Sequence, residues 1–217
     1  TRVNLAVFDI DGTLTRPYPG EDVSFLEGLE LAFGFRDVDP NWASYPHVTD
    51  TGIVSHLCES RWGRLPTTAE MTRFREHYSS AFLARVGPNE GDEILGAAAF
   101  IHSLRQSSAW CVAVATGNCR LMATLKLTRG RVPCLDVPMG TADDAISRAD
   151  LIRVAIARAR QAYAVAEFGH VVSIGDAPWD LRTARELKLP FVAVGNRCGD
   201  ISVGARMVWD YQDARSV

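Results

Sequence analysis

The amino-acid sequence predicts an α/β protein, a doubly wound parallel sheet with a helical domain inserted near its start. Three observations carry this. Short apolar runs at Val3–Ile10, Trp110–Ala115, Val171–Gly175 and Pro190–Val194 each have the length and composition of a strand buried on both faces. Helical patterning separates the later runs, the alternation expected where crossover helices join parallel strands. Between Leu14 and about Gly91 the strand-like runs vanish and helical patterning takes over.

Taken in order, Val3–Ile10 forms the first strand, and Gly12 supplies the sharp turn that ends it. Pro17, Pro19 and Gly20 mark a hinge into the insert, and Gly87-Pro88-Asn89-Glu90-Gly91 a hinge out of it. Between them, Val23–Phe33, Ile53–Trp62 and Met71–Val86 read as helices. Thr67 followed by Glu70 is a capping-box pattern for the last, and Thr49 or Asp50 suits the cap of the second. Trp42 and Trp62 are assigned to the insert's own core. The expected division is a core of 1–16 and 92–217 with an insert of 17–91. A helix over Asp92–Gln106 then leads to the strand Trp110–Ala115, a helix from Arg120, and a helix over Ala149–Tyr163. After the strand Val171–Gly175, Pro178 sits where a helix can begin, and that helix continues through Leu181, Ala184, Leu187 and Leu189. Pro190–Val194 is a later strand, and Met207–Trp209 a short strand at the sheet edge.

Composition bounds the function. At 217 residues and 47% hydrophobic content the chain can bury one core domain plus an insertion. A net charge of −3 argues against a nucleic-acid or acidic-membrane partner. Five cysteines, with no Cys-x-x-Cys pair, suit reduced thiols in a cytoplasmic setting and offer no zinc site. No apolar stretch is long enough to span a bilayer, and secretion is not expected from a chain that starts directly with a strand. The scarcity of lysine beside abundant arginine is ascribed to genome composition.

The chemistry collects at strand ends. Asp9 and Asp11 close the first strand in Asp-Ile-Asp-Gly-Thr-Leu-Thr, and two carboxylates brought together there can share a divalent cation or a proton. Val171–Gly175 likewise runs into Asp176, with Asp180 in the first turn of the following helix, where it would also complement the helix dipole. Three or four carboxylates at the carboxyl edge of a parallel sheet make a hard oxygen site suited to Mg²⁺ more than to zinc. The strand Trp110–Ala115 ends in Thr116-Gly117-Asn118, where a hydroxyl and free backbone amides before a helix either cradle an anion or cap that helix. Arg148, at the head of its helix, can reach the same edge.

The order of these pieces resembles the haloacid dehalogenase-like superfamily: Asp-x-Asp-Gly-Thr, a strand ending in Thr, a basic residue opening a helix, and Gly-Asp-x-x-x-Asp. The resemblance spans Val3 to about Val194 and is closest to small phosphatases of the phosphoglycolate phosphatase and β-phosphoglucomutase type. It implies a Rossmann-like core with a helical cap over the catalytic edge. It further implies that Asp9 is a nucleophile forming an aspartyl-phosphate and that Asp11 is the general acid and base. Asp9, the Asp11 carbonyl, Asp176 and Asp180 would hold Mg²⁺. Thr116 and Arg148 would stabilise the transferring phosphoryl group, with Gly12, Gly117 and Asn118 completing the substrate site. The family most often has lysine where this chain has Arg148. Arg148 is preferred over Lys126, which lies on the helix immediately after the Thr116 strand. By position the insert is the cap, and Arg16, Tyr18, Tyr45, His47, Thr49 and Asp50 are its candidates for substrate contact.

The expected activity is therefore Mg²⁺-dependent hydrolysis of a small-molecule phosphate ester by a cytoplasmic monomer or homodimer. The alternatives are a phosphoryl-transfer mutase and a non-catalytic binding protein of the same fold. Dehalogenation needs no second acid at Asp11, and phosphonate cleavage needs a cap lysine that the insert lacks.

Overall fold

The computed structural model describes residues 2–87, 92–199 and 205–212. Six parallel strands form one sheet in the order β3-β2-β1-β4-β5-β6. They are β1 (Asn4–Phe8), β2 (Trp110–Ala115), β3 (Met139–Gly140), β4 (Val171–Gly175), β5 (Phe191–Val194) and β6 (Ala205–Val208). The residues of β1 alternate between two cores. Ala6 and Phe8 join one cluster with Val112 and Val114 of β2, while Leu5 and Val7 join another with Ala113 and Ala115. A strand buried on both faces has no polar side, which is why its sequence is a continuous apolar run. The first crossover goes from β1 to β2 and the later one returns to β4 on the other side of β1, so the chain reverses direction around β1. The end of β1 thus opens into a crevice between β2 and β4.

The helices follow local signals. They are α1 (Glu21–Phe33), α2 (Asp50–Trp62), α3 (Thr68–Arg85), α4 (Ala97–Gln106), α5 (Arg120–Arg129), α6 (Arg148–Ala162) and α7 (Pro178–Glu186). The Thr67–Glu70 capping box opens α3, Thr49 accepts from Gly52 N at 3.0 Å to cap α2, and Pro178 occupies the first turn of α7. Several features depart from the expected elements: α7 ends at Glu186, short of Leu187 and Leu189, and β6 spans Ala205–Val208 rather than Met207–Trp209. Helix α4 starts at Ala97 rather than Asp92, because residues just before it pair with the start of the insert: Arg16 N donates to Asp92 O and Ile94 N to Leu14 O, both 2.9 Å. Strand β3 has only two residues, too few for any period to show. A 3₁₀ turn at Trp42–Ser44 likewise lacks a periodic signal. The outgoing hinge, apart from Gly87, lies outside the described residues.

Helices α1, α2 and α3 enclose a separate aromatic cluster in which Phe25 meets Phe74 and Tyr78 edge-on at 5.1 and 5.2 Å. Trp42 packs on Phe25 at 5.1 Å, and Trp62 on Phe35 at 4.9 Å although 41% exposed. Cys119 and Met122 of α5 belong to the same cluster, so the insert is seated on the core by apolar contact as well as by polar bonds. All five cysteines are free thiols. No helix among the described residues is long and apolar enough to cross a membrane.

Candidate active site

Asp9 follows β1 directly and is buried, 7% exposed. Asp176 follows β4, and Asp180 sits in the first turn of α7, where its Oδ2 accepts from Ala177 N at 3.1 Å. Carboxylate oxygens of Asp9, Asp176 and Asp180 all lie within 4.8 Å of one another. Three acids this close, withdrawn from water, resist ionisation. Burial, with the neighbouring Asp180, pushes Asp9 well above the usual carboxylate range; burial raises Asp180 against the pull of Arg148, and raises Asp176 to about 7.

Two guanidinium groups stand against the cluster. Arg148, at the head of α6, donates from Nη1 to Asp180 (2.7 Å) and Asp9 (3.3 Å), and from Nε to Val48 O (3.0 Å). Arg197, in the loop after β5, donates to Asp176 Oδ2 at 2.7 Å. The sequence reading left Arg197 without a role. The indole of Trp179 lies 5.6 Å from one guanidinium and 6.0 Å from the other.

Asp11 parts company with the other acids. Its carboxylate takes both oxygens to Lys126 Nζ, at 2.8 and 2.7 Å, and is not in the three-acid cluster. Lys126, on the inner face of α5, is fully buried and also donates to Asn118 Oδ1 (2.9 Å) and to Glu21 Oε1 of α1. Sequence reasoning set Lys126 aside. Its signal was a lysine four residues after Met122, on the apolar side of α5.

Thr116 and Asn118 are buried beside Asp9 and Asp11, and Asn118 N donates to Thr116 Oγ1 at 3.2 Å. Neither caps α5. Its first amides are taken by Asp50 Oδ2, from Cys119 N at 2.7 Å, and by Asp143 Oδ2, from Arg120 N at 2.9 Å. Asp50 is a residue of the insert, so the insert itself caps a core helix. Burial raises the Asp50 carboxyl to about 7.

Three glycines make room for the charges. A Cβ on Gly12 would stand 2.0 Å from Asp176 Oδ2, on Gly117 2.8 Å from Arg148 Nη2, and on Gly175 2.6 Å from Asp180 Cβ. Gly12 also turns at φ +73°, a conformation that side chains disfavour.

Between the sheet edge and the insert is a cavity of ≈ 170 Å³. Asp9, Asp11, Gly117, Asn118, Arg148 and Asp176 form its floor, and Glu21, Asp22, Phe25, Trp42, Thr49, Asp50 and Tyr78 its insert wall. Of the insert's candidate contacts, Thr49 and Asp50 reach this cavity; Tyr45 instead donates its hydroxyl to Asp39 O (3.0 Å).

A parallel α/β sheet with buried acids and an arginine around the crevice at its switch point defines the ligand-binding class of doubly wound proteins. The family is specific: residues 3–188 match the sequence model of the haloacid dehalogenase-like hydrolases, and the chain belongs to that family. Solved structures agree in fold. A hydrolase from Pseudomonas syringae gives a TM-score of 0.69 at 22% identity, with 100% of this chain and 97% of that chain covered. A predicted phosphatase from Clostridium acetobutylicum gives 0.62 at 20% identity, covering 100% and 98%. CbbY from Rhodobacter sphaeroides, solved in complex with phosphate, gives 0.64 at 16% identity, covering 97% and 96%. No curated protein sequence matches.

Proposed function

We propose that this hydrolase is a Mg²⁺-dependent phosphatase for a small phosphate monoester, with residues 17–91 acting as a cap over a core of 1–16 and 92–217. The observation that carries the reading is the convergence of Asp9, Asp176 and Arg148 on the floor of a small roofed cavity, with Asp180 clustered behind them and bound to Arg148.

The donor set fits a small hard cation. Three buried carboxylates whose pKa values are raised by burial, and at Asp9 and Asp176 also by neighbouring acids, are stabilised as anions by a divalent charge, and oxygen-only ligands favour Mg²⁺ over softer metals. Asp9, Asp176 and Asp180, with the Asp11 main-chain carbonyl, would hold it. When bound, the ion supplies positive charge that offsets repulsion between a carboxylate and a phosphoryl dianion.

Within this reading the Asp9 carboxylate attacks phosphorus, the ester P–O bond breaks, and the leaving oxygen takes its proton from Asp11 in its protonated form, the proton carried on the side of the carboxyl away from Lys126. Water then attacks the phosphorus of the aspartyl-phosphate and gives a proton to the Asp11 carboxylate. Phosphate leaves and the Asp9 carboxylate is restored. Arg148 and the Thr116 hydroxyl stabilise the charge on the transferring group, and the Gly12, Gly117 and Asn118 backbone encloses it.

The test is phosphate release from p-nitrophenyl phosphate and a panel of small esters, with Mg²⁺ and with EDTA. Release that EDTA abolishes and Mg²⁺ restores is expected. No release from folded, Mg²⁺-supplied protein would remove the phosphatase reading, and conversion of β-glucose 1-phosphate with its bisphosphate would then identify a mutase.

A further inference from the structure

We infer that Lys126 is a positioning residue for Asp11, clamping the proposed acid–base carboxylate to Glu21 of the cap helix α1. The inference rests on the phosphatase reading and adds a residue to it.

The geometry is specific. The Lys126 ammonium is fully buried, and four oxygens converge on its single nitrogen: both oxygens of Asp11, Asn118 Oδ1 and Glu21 Oε1. A guanidinium spreads its donors over a planar fork and does not gather four acceptors at one point, whereas an ammonium does. The sequence holds 23 basic residues, of which Lys126 and Lys188 are the two lysines. At this position the compact group is the one the site requires. Burial alone would push the ammonium's pKa down, yet Asp11 and Glu21 outweigh it and hold the pKa above its ordinary value.

Lys126 does not line the cavity, whereas Asp11 does, with its side chain 28% exposed. The lysine therefore acts through Asp11. An acid–base group must present an oxygen to the reacting atoms in a fixed direction, and a mispositioned one loses much of its effect. The ammonium fixes that direction from behind. Its other anchor belongs to the cap: Glu21 opens α1 and is itself held by the Tyr78 hydroxyl at 2.7 Å. Tyr18, also in the insert, donates its hydroxyl to the Lys126 carbonyl at 3.2 Å. The direction of the Asp11 carboxylate is thus tied to the seating of the cap, over a sequence separation of 105 residues between Lys126 and Glu21.

Leaving-group dependence separates this role from a structural one. The p-nitrophenolate ion departs without a proton, whereas an alkoxide needs one, so loss of acid positioning weighs on alkyl esters. Since kcat/KM covers the steps up to leaving-group departure, it is the quantity to compare. The experiment measures kcat/KM with Mg²⁺ for p-nitrophenyl phosphate, phenyl phosphate and glycerol 2-phosphate, in wild type and Lys126→Met. The expected result is a rise of about 100-fold in the preference for p-nitrophenyl phosphate over glycerol 2-phosphate, with phenyl phosphate between. The double variant Lys126→Gln/Glu21→Gln leaves no unpaired lysine or cap carboxylate in the cluster, guards against misfolding, and should show the same shift. An equal fall for all three esters in protein of wild-type melting temperature would make Lys126 merely structural and overturn the inference, as would an unchanged preference. If wild type releases no phosphate from any ester, the phosphatase reading itself fails, and that result is visible before any variant is compared.

Discussion

The floor and the roof of the cavity are both rich in charge, but they are balanced differently. At the floor, Asp9 and Asp176, with Asp180 behind them, crowd three carboxylates within reach of one cation, and Arg148 and Arg197 do not cancel the effect of burial: all three acids are raised. On the roof burial raises Glu21 and Asp50 as well, but no three carboxylates cluster there among the described residues, and each acid accepts from partners of its own. Glu21 has Lys126 and Tyr78, Asp50 caps α5, and Asp22 accepts from the Trp42 indole at 2.7 Å. Carboxylates clustered within reach of one cation are suited to receiving a ligand, whereas acids that each accept from partners of their own are suited to docking. The floor is where chemistry is expected, and the roof is how the insert knows where to sit.

Substitutions can break or sharpen this contrast. The largest effect is expected at the floor: Asp9→Asn should lower turnover by roughly 10⁴-fold or more. It should not lower the melting temperature, since a neutral amide relieves the crowding of buried acids. Phosphate release and a thermal melt measure both, and near-normal turnover would erase the distinction between floor and roof. On the roof, Asp50→Asn tests whether an acid with partners of its own still has a cost. The Asp50 pKa is raised from 3.8 to about 7 in the folded chain. Between those values the folded protein keeps a proton that the unfolded chain has released, so this group's contribution to stability falls as pH rises and is constant above pH 7. The asparagine variant should flatten that part of the melting profile and gain about 2–4 °C for each kcal/mol relieved at pH 8. An unchanged slope between pH 4 and 7 would show that Asp50 ionises freely. The smallest effect is expected away from both surfaces. Thr67→Ala removes the capping box of α3 and should cost about 1 kcal/mol of stability, leaving kcat/KM for p-nitrophenyl phosphate unaltered.

The same contrast explains what the sequence made legible. Asp9, Thr116 and Asp176 each follow an apolar strand run, which singled them out in the sequence, whereas Asp180 and Arg148, in first helical turns, took their expected roles from the resemblance to the family. One such run gave β2 its bounds at Trp110–Ala115, and another, starting at Val171 and meeting Gly-Asp at its end, placed β4. Helix α4 was read five residues too long at its start, because residues 92–94 are held by pairing with the insert's entrance, a long-range bond that leaves no periodic trace. Lys126 was set aside, and Glu21 and Arg197 were given no role, for a related reason: what matters about each is a partner from a distant element. A helix dipole accounts for Glu21 locally, and nothing near Arg197 announces Asp176. Of Thr49 and Asp50, read as alternative caps for α2, Thr49 takes that place, and Asp50 instead accepts from the Cys119 amide at the head of α5.

The three glycines behind the floor have a consequence for substrate binding. A side chain packed against bare backbone has little room to swing, so Asp176, Arg148 and Asp180 are held by walls as well as by ion pairs. Most of their rotational entropy is surrendered when the chain folds. An incoming substrate then meets charges already pointing the right way, and little of its binding energy is diverted to arranging them.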